Sequence, residues 1–284
     1  MKKLTCTICK SASYPFFEYK DFFGDLVSLF KCINCGHGSH DRQYTGAQFS
    51  EIYRADYAAD YLVKENALYQ QRQVQYALDV ELLMESRKKS GPLRVLDYGC
   101  SSGGYLEAMP SEWDKYGFEV NPHHINYIRE NKINITMFDN VAAIDRQFDL
   151  ITMRGVIEHI PDHTELITFL GQHLTSDGEV FITATPDFSS VCATVYKGKW
   201  NQVVCPEHIH QFSSTSLSIL LARAGLVLRS LNHPYIGTPY AEWNKDKFCF
   251  ADNFLMLHKD PNADIAPIHA FAGNMISALY EKQS

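Results

Sequence analysis

Residues 93–104 read LRVLDYGCSSGG, and the fold turns on how this stretch is taken. A short apolar run ends in an acid, Asp97, and then in glycines at positions 99, 103 and 104. The run predicts a buried strand. The glycines predict a tight turn whose backbone can approach a ligand closely. YLEAM, directly after, predicts a short helix.

Outward from that turn the chain alternates. DKYGFEV (114–120), NITMFDN (134–140), FDLITMRG (148–155), GEVFITATP (178–186) and LVLRSLNH (226–233) predict strands. NPHHINYIREN, PDHTELITFLGQHL and SSTSLSILLARAG predict the helices between them, with Asn121, Pro161 and Ser/Thr at their starts. KFCFADNFLMLHK (247–259) is taken as a seventh strand with no crossover helix before it, hence antiparallel. AGNMISALYEK is taken as a closing helix. The expectation is an α/β fold: a Rossmann-like, seven-stranded, mostly parallel sheet with an antiparallel last strand, plus a small N-terminal zinc-binding module. In such sheets ligands bind beyond the carboxyl ends of the strands.

The expected division is 1–45 for the N-terminal module and 46–90 for a helical linker or lid over the cofactor. The core follows at 91–258, and a helical tail at 259–284. The linker carries VKENALYQQRQVQYALDVELLMESRKK, without Gly or Pro and with apolar residues at helical spacing.

The chain has 284 residues, a formal net charge of −7, 45% hydrophobic and 21% charged residues. These are ordinary globular values, and the acidic balance argues against a general polyanion binder. No apolar h-region follows the basic MKK start, and no apolar run approaches a membrane span. A cytoplasmic protein is expected, with a small-molecule acceptor as partner, no nucleic acid and no membrane. A homodimer is compatible with the sequence.

Which nucleotide the glycine turn would hold is open from the turn alone. Gly99-x-Ser101-x-x-Gly104 approximates a dinucleotide fingerprint, and Glu119, about 20 residues on, could take ribose hydroxyls. Three features favour a cationic ligand over a pyrophosphate. Asp97 stands at the strand end, where an anion repels phosphate and attracts a cation. Asp139 and Asn140 end the third strand, suiting an adenine amino group. The final strand reads as antiparallel.

VLDYGCSSGGYLEAM, YGFEVNP and FDLITMRGVIEHIPD, in this order, resemble the class I S-adenosylmethionine-dependent methyltransferases. The resemblance covers about residues 60 to 258. It implies that Asp97, Gly99, Cys100, Ser101 and Gly103 cradle the methionine end of S-adenosylmethionine. Glu119, with Val120 after it, would take the ribose hydroxyls, and Asp139 and Asn140 would meet the adenine. The backbone at Arg154 and Gly155 would line the sulfonium. Tyr57, Tyr61 and Arg72 precede the core, where similar enzymes close over the cofactor. Ser101 stands where the family usually has glycine, and is accommodated if its φ is negative.

Eight cysteines occur, four of them in two tight pairs, Cys6-x2-Cys9 and Cys32-x2-Cys35. This spacing points to a closed, structural four-thiolate zinc site. A zinc module ahead of such a core resembles sugar methyltransferases acting on nucleotide-linked deoxysugars. Those usually carry a further C-terminal domain, so a related small substrate is the expectation here.

Methyl transfer needs the acceptor aligned and, for a hydroxyl or acidic C–H, a proton removed. Candidates are Glu158 and His159 in GVIEHIPD, and His208 and His210 in CPEHIHQF. In an extended run the two later histidines would share a side. A shared metal is the weaker reading, because the one nearby third ligand, Glu207, would point the other way; base or brace, centred on His208, is the expectation. Tyr196, Trp200 and Tyr235 are candidate apolar walls. Two rival readings stand beside the transferase: a non-catalytic cofactor-binding or docking protein, and an NAD-dependent sugar oxidoreductase. No Tyr-x-x-x-Lys pair follows the fourth strand to support the latter.

Overall fold

The computed structural model describes residues 3–52, 68–88, 90–266 and 270–283. Tyr57 and Tyr61 lie outside the described residues. Two sheets organise the rest. The larger is built from β5 (Arg94–Tyr98), β6 (Asp114–Phe118), β7 (Ile135–Phe138), β8 (Phe148–Arg154), β9 (Leu174–Pro186), β11 (Leu226–Asn232) and β12 (Met275–Lys282). Its order is β11-β12-β9-β8-β5-β6-β7. The pairs β5–β6, β5–β8, β6–β7 and β8–β9 are parallel, whereas β12 runs antiparallel to both neighbours.

The connecting helices start where the sequence provides caps. Asn121 accepts a hydrogen bond from the His123 amide at the head of Pro122–Asn131, and Asp162 from the Thr164 amide at the head of His163–His173. Ser213 and Ser216 form a reciprocal capping box on Ser214–Ala222.

Two elements differ from expectation. The seventh strand is not KFCFADNFLMLHK: Trp243–Lys259 is an α-helix. The segment lacks the β-branched residues Val, Ile and Thr that favour a strand, although its three phenylalanines read as strand-like. The antiparallel strand is instead Met275–Lys282, where a closing helix was expected. Residues Ile276 to Tyr280 are all buried, so both faces are covered and no alternation marks them as a strand.

The smaller sheet comprises β1 (Leu4–Thr5), β2 (Ala12–Lys20), β3 (Leu26–Cys32), β4 (Gly38–His40) and β10 (His210–Gln211), in that order and antiparallel. Its last strand comes from the distant CPEHIHQF loop: His210 pairs with Ser39 and Gln211 with Gly38. Tyr19, Val27 and Leu29 pack in one core with Phe188, Tyr196, Trp200 and Val203. Tyr196 and Trp200 therefore pack the segment after β9 against the smaller sheet, and they also line a small cavity with Lys199, Asn201 and Ile265. Tyr235, the third candidate wall, is buried and donates its hydroxyl to Asp246. No helix among the described residues is long and apolar enough to cross a membrane.

Leu279 is fully buried at the centre of β12, whereas Leu231 on β11 is 37% exposed. Leu279→Ala should cost about 3 kcal/mol in urea unfolding, and Leu231→Ala less than about 1 kcal/mol.

Candidate functional site

The carboxyl ends of β5, β6, β7, β8 and β9 bring most of the expected residues to one edge. After β5 the chain turns with positive φ at Gly99 (83°), Ser101 (47°) and Gly103 (79°). A Cβ on Gly99 would sit 2.7 Å from Val156 Cγ2, so glycine is required twice over. The Gly99 and Cys100 amides both donate to the Phe118 carbonyl, holding the turn to β6. The negative φ expected of Ser101 is not observed. Its left-handed conformation costs roughly 1 kcal/mol for a residue with a Cβ, and its buried hydroxyl has no protein partner. A cradle with a Cβ-free wall and an orphaned hydroxyl fits a polar ligand against the backbone.

Cys100 contributes only its backbone to this face. Its side chain is buried against Met137, and a Cβ on Gly117 would lie 2.6 Å from its sulfur.

Asp97 is buried, and Thr152 Oγ1 donates to it at 2.7 Å. Burial pushes this carboxyl up to about 7, with the Thr152 hydrogen bond and Arg154 opposing. Glu119 accepts the Ser101, Val120 and Asn121 amides at 2.8–2.9 Å. Val120 beside it is 75% exposed, an apolar surface at the cleft. Asp139 pairs with Arg129 at 3.0 Å, and Asn140 caps the turn that follows by accepting from the Ala142 amide.

Arg154 adds a contact the sequence reading missed. Its Nε donates to Asp79 at 2.8 Å, and Asp79 also accepts from Gln75. Gln75 and Asp79 lie on the helix Tyr69–Ser86, so a partly buried ion pair ties the helix before the core to the end of β8. Arg72 lies in that helix's first turn. Gly155 has φ 60° and donates its amide to Thr183.

On the opposite side of the edge, Glu158 is buried and accepts from Thr185 Oγ1 at 3.1 Å. Burial pushes it up to about 7. His159 Nδ1 donates to the Glu207 carbonyl, and His208 Nδ1 to the Gln202 carbonyl, each at 2.8 Å. The two rings meet edge to face, 4.7 Å between centroids. His208 is brought down to about 3 by burial and by the neighbouring His159.

His208 and His210 do not share a side, contrary to the extended reading. His208 lies in the bend after the turn at 205–207, whereas His210 opens β10, so the two rings face different partners. His210 is buried against His163, His37 and Phe212, with one ring nitrogen 3.3 Å from the Pro161 carbonyl. It packs the smaller sheet against the start of the helix His163–His173, away from the Glu158 cluster. A further pair went unnoticed in the sequence. Asp187, just past β9, accepts from the Ser189 amide and from His233 Nε2 at 2.8 Å. Its position directly after TATP at a strand's carboxyl end was the available signal.

In the smaller sheet, Cys6, Cys9, Cys32 and Cys35 hold their sulfurs within 4.8 Å of one another. Cys6–Cys35 is 3.6 Å and Cys9–Cys32 is 3.4 Å. Zn–S bonds of about 2.3 Å in a tetrahedron put sulfurs about 3.8 Å apart, so the donor set fits zinc. Burial raises the Cys6 and Cys35 thiols. Burial also opposes ionisation of Cys9, yet hydrogen bonds from Ser11 and the facing thiols bring it down to about 6.

Fold and edge geometry are those of an α/β, methyltransferase-like domain. The methyltransferase domain family matches residues 69–231, more than half the chain, and the protein belongs to that family. Over 111 residues it is 31% identical to the ubiquinone biosynthesis O-methyltransferase of Salmonella paratyphi A, covering 34% of this chain and 45% of that one. Over 98 residues it is 30% identical to the tRNA U34 carboxymethyltransferase of Aliarcobacter butzleri, covering 31% and 32%. The matched stretches thus span less than half of these relatives. Among solved structures, the plantazolicin methyltransferase BpumL with a monoazolic desmethylPZN analog and SAH superposes at a TM-score of 0.55. That likeness has 15% identity over 83% of this chain and 93% of that one. The Burkholderia thailandensis 1,6-didemethyltoxoflavin-N1-methyltransferase, with 1,6-didemethyltoxoflavin and S-adenosylhomocysteine bound, gives 0.52 at 13% identity over 95% and 99%. At such identities the likeness is one of fold.

Asp97 and Glu158 have reference values of 3.8 and 4.5 and are both held near 7 in the fold. The folded protein therefore binds more protons than the unfolded chain between those limits, and stability falls as pH rises from about 4 to about 7. Thermal unfolding without ligand should show that slope. Asp97→Asn should flatten it and raise the midpoint at pH 8.

Proposed function

We propose that the protein transfers a methyl group from S-adenosylmethionine to a small-molecule acceptor. The observation that carries this is the edge itself: a tight turn with glycine at both ends, Gly99 and Gly103, between a buried carboxyl, Asp97, and an amide-bound carboxylate, Glu119. A buried carboxyl held near neutrality is stabilised as an anion by a cationic ligand group above it. Glu119 Oε2, which accepts only the Ser101 amide, retains a lone pair for a ribose hydroxyl, and exposed Val120 offers a face to the adenine, with Asp139 and Asn140 beyond. The bound cofactor supplies an electrophilic methyl on a sulfonium, with a neutral thioether as leaving group.

The chain's own residues do the rest. The Gly99–Gly103 turn fixes the ligand's position, and the Arg154–Asp79 pair anchors the preceding helix against the cleft. Glu158, His159 and His208 meet the acceptor group beyond β8 and β9. A small acceptor suits the acidic charge balance. It also suits the structural relatives bound to a desmethylPZN analog and to 1,6-didemethyltoxoflavin. His210 is assigned a bracing role. The cysteine quartet is read as holding one structural zinc ion, whose removal leaves residues 1–45 without the cross-link joining their two knuckles.

Calorimetry should detect S-adenosylhomocysteine binding, weakened at least tenfold by Asp97→Asn and by Glu119→Gln. His208→Ala should leave that affinity near wild type and cut turnover at least tenfold. NADH binding without S-adenosylhomocysteine binding would overturn the cofactor assignment.

Metal analysis should find zinc in the purified protein and one equivalent less of it in the Cys32→Ser, Cys35→Ser double variant. A zinc content unchanged by that double substitution would sink the four-thiolate site.

A further inference from the structure

Two groups of metal-ligating side chains converge among the described residues. One is the cysteine quartet. The other is Glu158, His159 and His208, whose ligand atoms all lie within 4.8 Å of one another. We infer that these three residues form a site for a divalent transition-metal ion, separate from the thiolate site and placed where the acceptor binds. The word acceptor rests on the methyl-transfer reading; the metal site does not.

The tautomers carry the argument. A backbone carbonyl only accepts, so the Nδ1 atoms of His159 and His208 hold the protons in their bonds to Glu207 and Gln202. Each ring is left with an Nε2 lone pair. Metal-bound histidines are held in this manner: the second nitrogen donates to a backbone carbonyl, which fixes ring orientation and raises ligand basicity. Two histidines on different loops, His159 after β8 and His208 after the cis proline, are set the same way. One such bond is commonplace; two on rings 4.7 Å apart beside a buried carboxylate are not explained by packing alone.

The carboxylate points to the same occupant. Glu158 is buried and accepts from its own backbone amide and from the Thr185 hydroxyl, both neutral donors. Among the described residues it forms no ion pair with a lysine, arginine or histidine within 4.0 Å. A buried carboxyl without a cation beside it either stays protonated or binds one. The ligand atoms are spaced as for groups around an ion, farther apart than in a direct contact.

The donor set restricts the metal. Two imidazoles and one carboxylate suit Mn, Fe(II), Co or Zn over Mg or Ca. Three protein ligands leave coordination positions open, the pattern of a reactive site and not of a structural one. The open positions belong to an oxygen donor on the acceptor. Glu158 Oε1 lies 3.9 Å from where a Cβ on Gly155 would stand, which puts the ion beside the end of β8. In this form the two histidines orient the acceptor through the ion and do not themselves take its proton.

Cobalt distinguishes the two sites, because thiolate ligation gives strong near-ultraviolet charge-transfer bands that nitrogen and oxygen ligands lack. Protein stripped of metal, then given one equivalent of zinc for the thiolates, is titrated with Co2+ and followed in the visible. One further equivalent should bind with no thiolate band. Glu158→Gln and His208→Ala should each weaken it at least tenfold, while S-adenosylhomocysteine affinity stays near wild type. No second equivalent in the wild-type protein, or equal binding by both variants, would overturn the site. Cobalt binding without any S-adenosylhomocysteine binding would uphold the metal site and refute the methyl-transfer reading.

Discussion

The constraint on which the site depends is the turn out of β5. This central strand ends between β6 and β8, and the chain must leave it at once for a helix. Gly99 has no room for a Cβ because Val156 closes the space, and two amides are committed to the Phe118 carbonyl. The turn is therefore held from both neighbouring strands before any ligand arrives. Asp97 and Glu119 take their positions from that anchorage. Ser101 tolerates a left-handed backbone there, a local cost retained at the edge where the chemistry is read.

A second constraint joins the smaller sheet to the larger. The CPEHIHQF loop leaves the core and supplies the outermost strand of the cysteine-bearing sheet. A shared apolar core, which includes Ile8, Cys32 and Cys35 with Ile182 and Ile276, seals the junction. That attachment decides the fate of the histidines. The residue entering the strand, His210, becomes part of the joint. The residue in the turn before it, His208, is released toward Glu158 and His159.

Much of this was legible in the sequence because it rests on local rules. The parallel strands show as short apolar runs, the helices announce their caps, and the acids after β5, β6 and β7 stand at strand ends by position alone. The cysteine spacing is likewise a local signal. What failed was non-local. Met275–Lys282 is buried on both faces, so its pattern carries no period, while an aromatic helix without β-branched residues looked strand-like. The Arg154–Asp79 pair and the Glu158–His159–His208 cluster join residues distant along the chain. The histidine spacing also misled: an i, i+2 argument holds only in extended backbone, and the loop turns at 205–207 before His210 enters its strand.

The borrowed strand has a consequence for how this architecture can be inherited. A sheet that takes its fifth strand from a loop some 170 positions away along the chain cannot travel as a cassette cut after position 45. Recombination at that boundary would leave β4 with a bare edge in one product and His210–Gln211 unmated in the other. Exchange between relatives would need two breakpoints, with the cysteine sheet and its distant loop moving together. The two regions are in that sense one heritable unit, interrupted by the catalytic core.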